Sequence, residues 1–192
     1  MGVDDERYYI TFYGYETTDW PMTFGAFSNH TKVLETDYAS EAATSVDTSN
    51  ATATNEFLYP HHIKRKYFIE GTAKGQVTFA ASGCTATIEK YRVSICKVNN
   101  ITNTKDVLYT TGWVNVSYEL AWYAAYNSGE EKVFPFKINC WEHQELGEFD
   151  RIFLRVETDT STCTESSCSC MVLWHSNDSN YEDVKIEIPF RL

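Results

Sequence analysis

Apolar and polar positions alternate most cleanly in the segment DVKIEIPFRL, residues 183–192. Val184, Ile186, Ile188, Phe190 and Leu192 share one parity, and Lys185, Glu187, Pro189 and Arg191 share the other. A period of two predicts a β-strand with one buried face. Chain ends fray unless they are tied down, so this pattern predicts a strand docked in a sheet. Pro189 has no N–H for a ladder and predicts an edge or a sheet corner.

Similar patterns recur upstream. Residues 7–15, RYYITFYGY, read as a short aromatic strand. Residues 66–71 and 75–82 read as two strands divided by GTAKG, which has hairpin character. Residues 85–98 form a long strand whose apolar parity changes between Ile88 and the set Tyr91, Val93 and Ile95, predicting a bulge. Residues 107–120 give one or two strands broken at Gly112, and residues 121–131 read as a helical turn or an aromatic loop. In 132–143, Phe134, Phe136, Ile138 and Cys140 share a face. In 151–159, Ile152, Leu154 and Val156 point in, while Arg151, Phe153, Arg155 and Glu157 point out. Residues 170–176 complete a set of about eight strands. No long amphipathic helix is apparent. The predicted fold is all-β: a two-sheet antiparallel sandwich of jelly-roll type, with an extended N-terminal arm.

The arm follows from composition. Residues 36–56 are dominated by Ala, Ser, Thr, Asp, Glu and Asn, with almost nothing large and apolar. Such a stretch builds no core and reads as a linker. The expected division is an assembly segment over residues 1–60 and a sandwich domain over 61–192. At 192 residues with 15% aromatics, the chain can bury a real core. A net charge of −11 argues against nucleic acid and anionic membrane as partners. No apolar run is long enough for a spanning helix, and the acidic start does not resemble a signal peptide.

Cys163, Cys168 and Cys170 form C-x4-C-x-C, with His175 five residues on. Three readings stand side by side: a zinc site of thiolates and imidazole, a Cys163–Cys168 disulfide, or inert thiols. Cys84, Cys96 and Cys140 read as small buried hydrophobes. Five N-x-S/T sequons occur, at Asn29, Asn50, Asn100, Asn115 and Asn177, in a chain rich enough in Asn, Ser and Thr to generate them by chance. His61 and His62 precede Lys64, Arg65 and Lys66, either a contact for an acidic or phosphate group or a solvated linker end.

Phosphate loops, nucleophile elbows and HExxH are absent from the sequence. Glu142 and His143 are adjacent, so a regular strand would point them to opposite faces, against joint acid–base work. The expectation is a protein that is not an enzyme and uses no cofactor. Trp113, Trp122, Tyr123, Tyr126, Trp141 and Trp174 exceed what a core needs, and exposed rings would stack on sugars or anchor an interface.

Two segments carry a family resemblance. Gly147-x-x-Asp150-Arg151 runs into an alternating strand containing Arg155, and the last strand holds Ile186-x-Ile188-Pro189-Phe190. Over residues 65–192 this resembles small β-sandwich proteins encoded among the structural genes of tailed viruses of bacteria and archaea. The resemblance implies a jelly-roll virion protein: a capsid decoration, minor capsid or turret component that docks through its arm. Its partners would be copies of itself or other capsid proteins, and its location the virion. The alternative is a carbohydrate-binding β-sandwich on a cell surface or virion tip, hence extracellular, with a glycan as partner.

Overall fold

The computed structural model describes residues 7–16, 22–36, 44–47, 52–61, 63, 65–81, 83–126, 128–163, 171–175 and 184–191; at 16, 29, 44–47, 52, 128, 160–163 and 171–175 only the backbone is described. The strands are β1 (Arg7–Glu16), β2 (Met22–Phe24), β3 (Phe27–His30), β4 (Lys32–Glu35), β5 (Thr44–Asp47), β6 (Thr52–Leu58), β7 (Tyr67–Ala81) and β8 (Ala86–Asn99). They continue with β9 (Lys105–Thr110), β10 (Val114–Leu120), β11 (Trp122–Tyr123), β12 (Ser128–Gly129), β13 (Glu131–Leu146), β14 (Asp150–Cys163), β15 (Met171–His175) and β16 (Val184–Arg191). One short 3-10 turn, Ala124–Tyr126, lies between β11 and β12. The chain is all-β, and among the described residues no helix is long and apolar enough to cross a membrane.

Twelve strands form one sheet in the order β10-β8-β14-β6-β4-β1-β16-β7-β15-β5, with β9 added to β8 and β13 to β7. Every ladder in it is antiparallel except one parallel bridge, Val33 to Leu58, between β4 and β6. That bridge joins two antiparallel halves, and the sheet curls nearly into a barrel. The expected pair of separate antiparallel sheets is therefore replaced by one mixed sheet. Its halves still face each other across a core, because Phe12, Ile69, Ile186 and Ile188 pack in one cluster with Val93, Ile95, Leu154 and Val156. Burying aliphatic and aromatic side chains of this kind stabilises by about 1.5–3 kcal/mol each.

The expected arm over residues 1–60 is corrected by this topology. β1 lies between β4 and β16, paired from Arg7↔Arg191 to Gly14↔Val184. β6 pairs with β14 along its length, from Leu58↔Phe153 to Thr52↔Asp159. Phe12, Leu34 and Phe57 are core residues. The polar composition of 52–58 misleads because few apolar residues suffice: Phe57 is buried in the central core and Leu58 on the opposite face, and buried Asn55 accepts from Lys32 Nζ at 2.5 Å.

GTAKG makes no hairpin. β7 runs straight through it, because its glycines admit neighbours and do not turn the chain. A Cβ on Gly75 would lie 2.3 Å from the Lys185 carbonyl oxygen and 2.5 Å from Phe136 Cζ. Gly71, at φ +127°, marks a bend where both neighbours slip register, β13 between Cys140 and Gln144 and β16 between Glu187 and Phe190. Pro189 sits in that slip. It is interior to the sheet and not at an edge, and the broken ladder needs no N–H there.

Other expectations hold. Phe134, Phe136, Ile138 and Cys140 are buried on β13, and Val184, Ile186, Ile188 and Phe190 on β16. β8 shifts its buried parity at Glu89 and Lys90, opposite a bulge in β10, and Gly112 (φ +70°) separates β9 from β10. Phe153 was expected outside and is fully buried. The β2–β3 hairpin folds over the outer face of β6, β8 and β14, so Phe24, Phe27, Leu58, Cys96, Val98 and Phe153 make a second small core. Cys96 and Cys140 are buried free thiols as expected. Cys84 is instead disulfide-bonded.

Candidate functional site

At one end of the curled sheet its two halves leave an open mouth of about 700 Å3. Ile10 and Phe12 of β1, Tyr67 of β7 and Phe190 of β16 form one wall. Arg151 and Ile152 of β14 and the segment Tyr59, Pro60, His61 and Ile63 form the other. The chain reaches this place for a local reason. The Tyr59 N–H donates to the Ile152 carbonyl at 3.0 Å, and Pro60 then has no N–H with which to continue the β6–β14 ladder. The segment after it leaves the sheet and returns at Tyr67.

The lining is an aromatic box. Phe12 meets Tyr59 edge-on at 5.2 Å between ring centroids and Phe190 at 6.2 Å; Tyr67 meets Phe190 at 5.9 Å; Tyr59 meets His61 at 5.2 Å. Edge-to-face pairs hold the rings in fixed orientations. A guanidinium and an imidazole border this apolar lining. The Arg151 guanidinium stacks over Phe24 at 3.6 Å, and burial pulls its pKa below the ordinary arginine value. His61 Nε2 lies 3.2 Å from Glu35 Oε2 at the exposed rim. Tyr8 and Tyr9 of β1 are exposed. Elsewhere on β7, Glu70 accepts from Arg191 at 2.9 Å and lies 3.7 Å from Arg7 and 3.3 Å from His143. The hydrogen bond from Arg191 is the main reason the Glu70 carboxyl titrates below its usual range. An opening of this size and lining can take an apolar side chain, a short extended segment or a ring-bearing ligand.

The residues singled out from sequence are mostly elsewhere. Trp113 precedes β10, with Lys90 and Arg92 5.0 and 4.7 Å from its ring centre. Trp122 is half-buried against the core, while Tyr123 and Tyr126 project from the 3-10 turn region, Tyr126 81% exposed. Trp141 is 65% exposed near the other end of β13. Ten residues of strand separate it from Glu131, roughly 33 Å at ~3.3 Å per residue. Of Trp174 and His175 only the backbone is described, and likewise of Cys163, which pairs opposite Ala86; Cys168 and Cys170 lie outside the described residues, and so do the zinc and Cys163–Cys168 readings. Among the described residues no group of His, Cys, Asp and Glu is placed to hold a metal. His143 pairs with Glu70 and not with Glu142. His62 and Lys64 lie outside the described residues, while His61, read as a linker end, lines the mouth.

The sequence reading missed Phe12, Tyr59, Tyr67, Arg151 and Phe190 as a site. A signal was present in LYPHHI, where an aromatic, a proline and histidines adjoin. Only folding brings that segment to β1 and β16.

No protein-family model matches the chain, and no curated protein matches it. Solved structures do. An aminopeptidase from a marine sediment archaeon, Thaumarchaeota archaeon, matches with a TM-score of 0.56 at 12% identity, over 96% of this chain and 37% of that one. Two crystal structures of a CocE/NonD family hydrolase from Staphylococcus aureus match with TM-scores of 0.48 at 10% and 8% identity, over 96% and 97% of this chain and 37% of theirs. The chain spans little more than a third of these structures. At 12% identity, the likeness to the aminopeptidase shows a shared fold alone.

Proposed function

We propose that this chain is a non-catalytic, all-β virion structural protein, which stabilises a particle by seating a neighbouring subunit in its apolar mouth. The observation that carries this reading is the mouth itself, an open aromatic box at which the apolar Ile10 of β1 stays exposed. The resemblance of residues 65–192 to virion β-sandwich proteins supports the class of partner. The mechanism differs from the one expected at first. β1, β4 and β6 are built into the sheet, so docking falls to a preformed surface and not to a free arm. A few aromatic anchors in a desolvated pocket carry most of the energy of such interfaces. Each buried ring stabilises by about 1.5–3 kcal/mol. The likeness to part of an aminopeptidase concerns fold and brings no catalytic residue to this chain.

The test is imaging of the native assembly, paired with an Ile10→Asp variant. Ile10 is part-exposed at the mouth, so the variant should fold. The expected result is many copies at symmetric positions with the mouth covered by a neighbour, and a variant that folds yet no longer joins. A native monomer with an open mouth would overturn the proposal, and a glycan screen would then decide whether the carbohydrate-binding alternative uses Tyr59 and Tyr67.

A further inference from the structure

Two of the five sequons have side chains described in the structure: Asn115 lies in the strand beside β8, and Asn100 in the turn that leaves the far end of β8. β9 and β10 pair consecutively along one side of β8 and together form its end strand. Asn100 opens the turn that leads into β9, and Asn115 lies in β10. Both are exposed, and so are the hydroxyl residues Thr102 and Ser117 that complete their sequons.

The local geometry suits derivatisation. The Asn100 main chain is held by its N–H to the Phe149 carbonyl at 3.0 Å. Its Oδ1 accepts from the Gly25 N–H at 3.1 Å, which leaves Nδ2 as the atom available for a new bond. The turn is shaped by its neighbour: Asn99 Oδ1 accepts from the N–H groups of Ile101 and Thr102, so the sequon's own Asn is not consumed in building it. Asn115 and Ser117 are both exposed on β10, next to the bulge at which β10 slips against β8. Buried Asn55, by contrast, is engaged with Lys32 and is not in a sequon. A second, independent observation bears on compartment. Cys84 is disulfide-bonded, and disulfides persist where thiols are oxidised, the same surroundings in which sequons meet glycosylation machinery.

We infer that Asn100 and Asn115 are N-glycosylation sites, the glycan on Asn115 shielding the edge that β10 presents among the described residues. In the transfer, Asn Nδ2 attacks the anomeric carbon of an oligosaccharide carried on a polyprenyl phosphate or diphosphate. The N–C bond forms, the C–O bond to phosphate breaks, the lipid phosphate leaves, and one amide proton passes to a base of the transferase. No redox step is involved. An unpaired strand edge invites pairing with other chains, and bulky polar groups beside it prevent this. The inference does not rest on the proposed assembly role, because it concerns a different surface and holds for any protein that matures in such a compartment.

The experiment is peptide mass spectrometry on the full chain from its native source, before and after enzymatic release of N-glycans. The expected result is glycan on the peptides holding Asn100 and Asn115, with conversion of each Asn to Asp on release. Thr102→Ala and Ser117→Ala should each abolish one modification, Thr102→Ser should keep it, and Asn103→Ala, an exposed Asn outside any sequon, should change nothing. Unmodified Asn100 and Asn115, or glycan only at Asn29, Asn50 or Asn177, would overturn the inference.

Discussion

Glu56 illustrates how much one side chain can hold. Its carboxylate accepts from Lys105 Nζ at 2.6 Å and Arg155 Nε at 2.9 Å, tying β6 to β9 and β14. Burial alone would raise its pKa, but hydrogen bonds and charge from Lys105 and Arg155 outweigh burial and bring it below the usual carboxylate value. A folded pKa below the unfolded one means the unfolded chain binds more protons. The stabilisation is therefore present above the unfolded pKa and is lost as pH falls through the folded one. Glu56→Gln should cost about 2 kcal/mol at neutral pH. The gap from wild type should close in acid, as read by urea unfolding at both pH values. A gap that stays constant would show that charge at Glu56 does not carry the effect. His30 senses the Glu56 charge, which raises its pKa against burial, so the unfolding series should be repeated in a His30→Gln background. Its Nε2–H donates to the Glu56 carbonyl at 2.7 Å, and burial lowers its pKa. None of this was legible in the sequence, where Glu56 lies in a stretch that reads as linker; its partners are 49 and 99 residues away.

Among the elements, the β2–β3 hairpin decides which side of β14 counts as outside. Gly25 takes φ +55° at its turn, and a Cβ there would come 2.9 Å from Val98. Phe27 meets Phe153 edge-on at 5.2 Å, and Lys105 Nζ lies 3.6 Å from the Phe27 ring centre. Beneath them Cys96 is fully buried, which pushes its thiol up to about 12. Phe27→Ala should destabilise by about 3–5 kcal/mol. It should also speed labelling of Cys96 by a thiol reagent under native conditions, because the cover is gone. Unchanged labelling would show that another element shields Cys96. Here sequence reasoning was half right. The alternation in 151–159 correctly placed Ile152, Leu154 and Val156, yet a large apolar Phe153 on the supposed solvent face was itself the sign of a second cover.

For the whole molecule, the question is whether the N-terminal third is appendage or body. β1 pairs with β16 over eight positions in register and with β4 on its other side, and Phe12 belongs to the central cluster. Removing residues 1–16 should therefore abolish cooperative folding, seen as loss of the near-ultraviolet circular dichroism signal and of a sharp urea transition. A truncated chain that kept both would restore the arm as a separate segment. The long-range pairing of β1 with β16 also means that the first and last strands form together, which favours slow folding for a chain of this size.

The sequence by itself determined the class of element and the inward face of most strands. It also determined the parity shift in β8 and the break at Gly112, because alternation, bulges and glycine breaks act over a few residues. Only the tertiary structure decided that Gly71 and Gly75 admit neighbours within one strand. The same holds for the placing of Pro189 in a register slip, the cover over Phe153, and the meeting of Tyr59, Tyr67 and Phe190 around a mouth. Each of these depends on which distant strand lies alongside. Pairing partners are selected by burial summed over the whole sheet, and no local pattern encodes that sum.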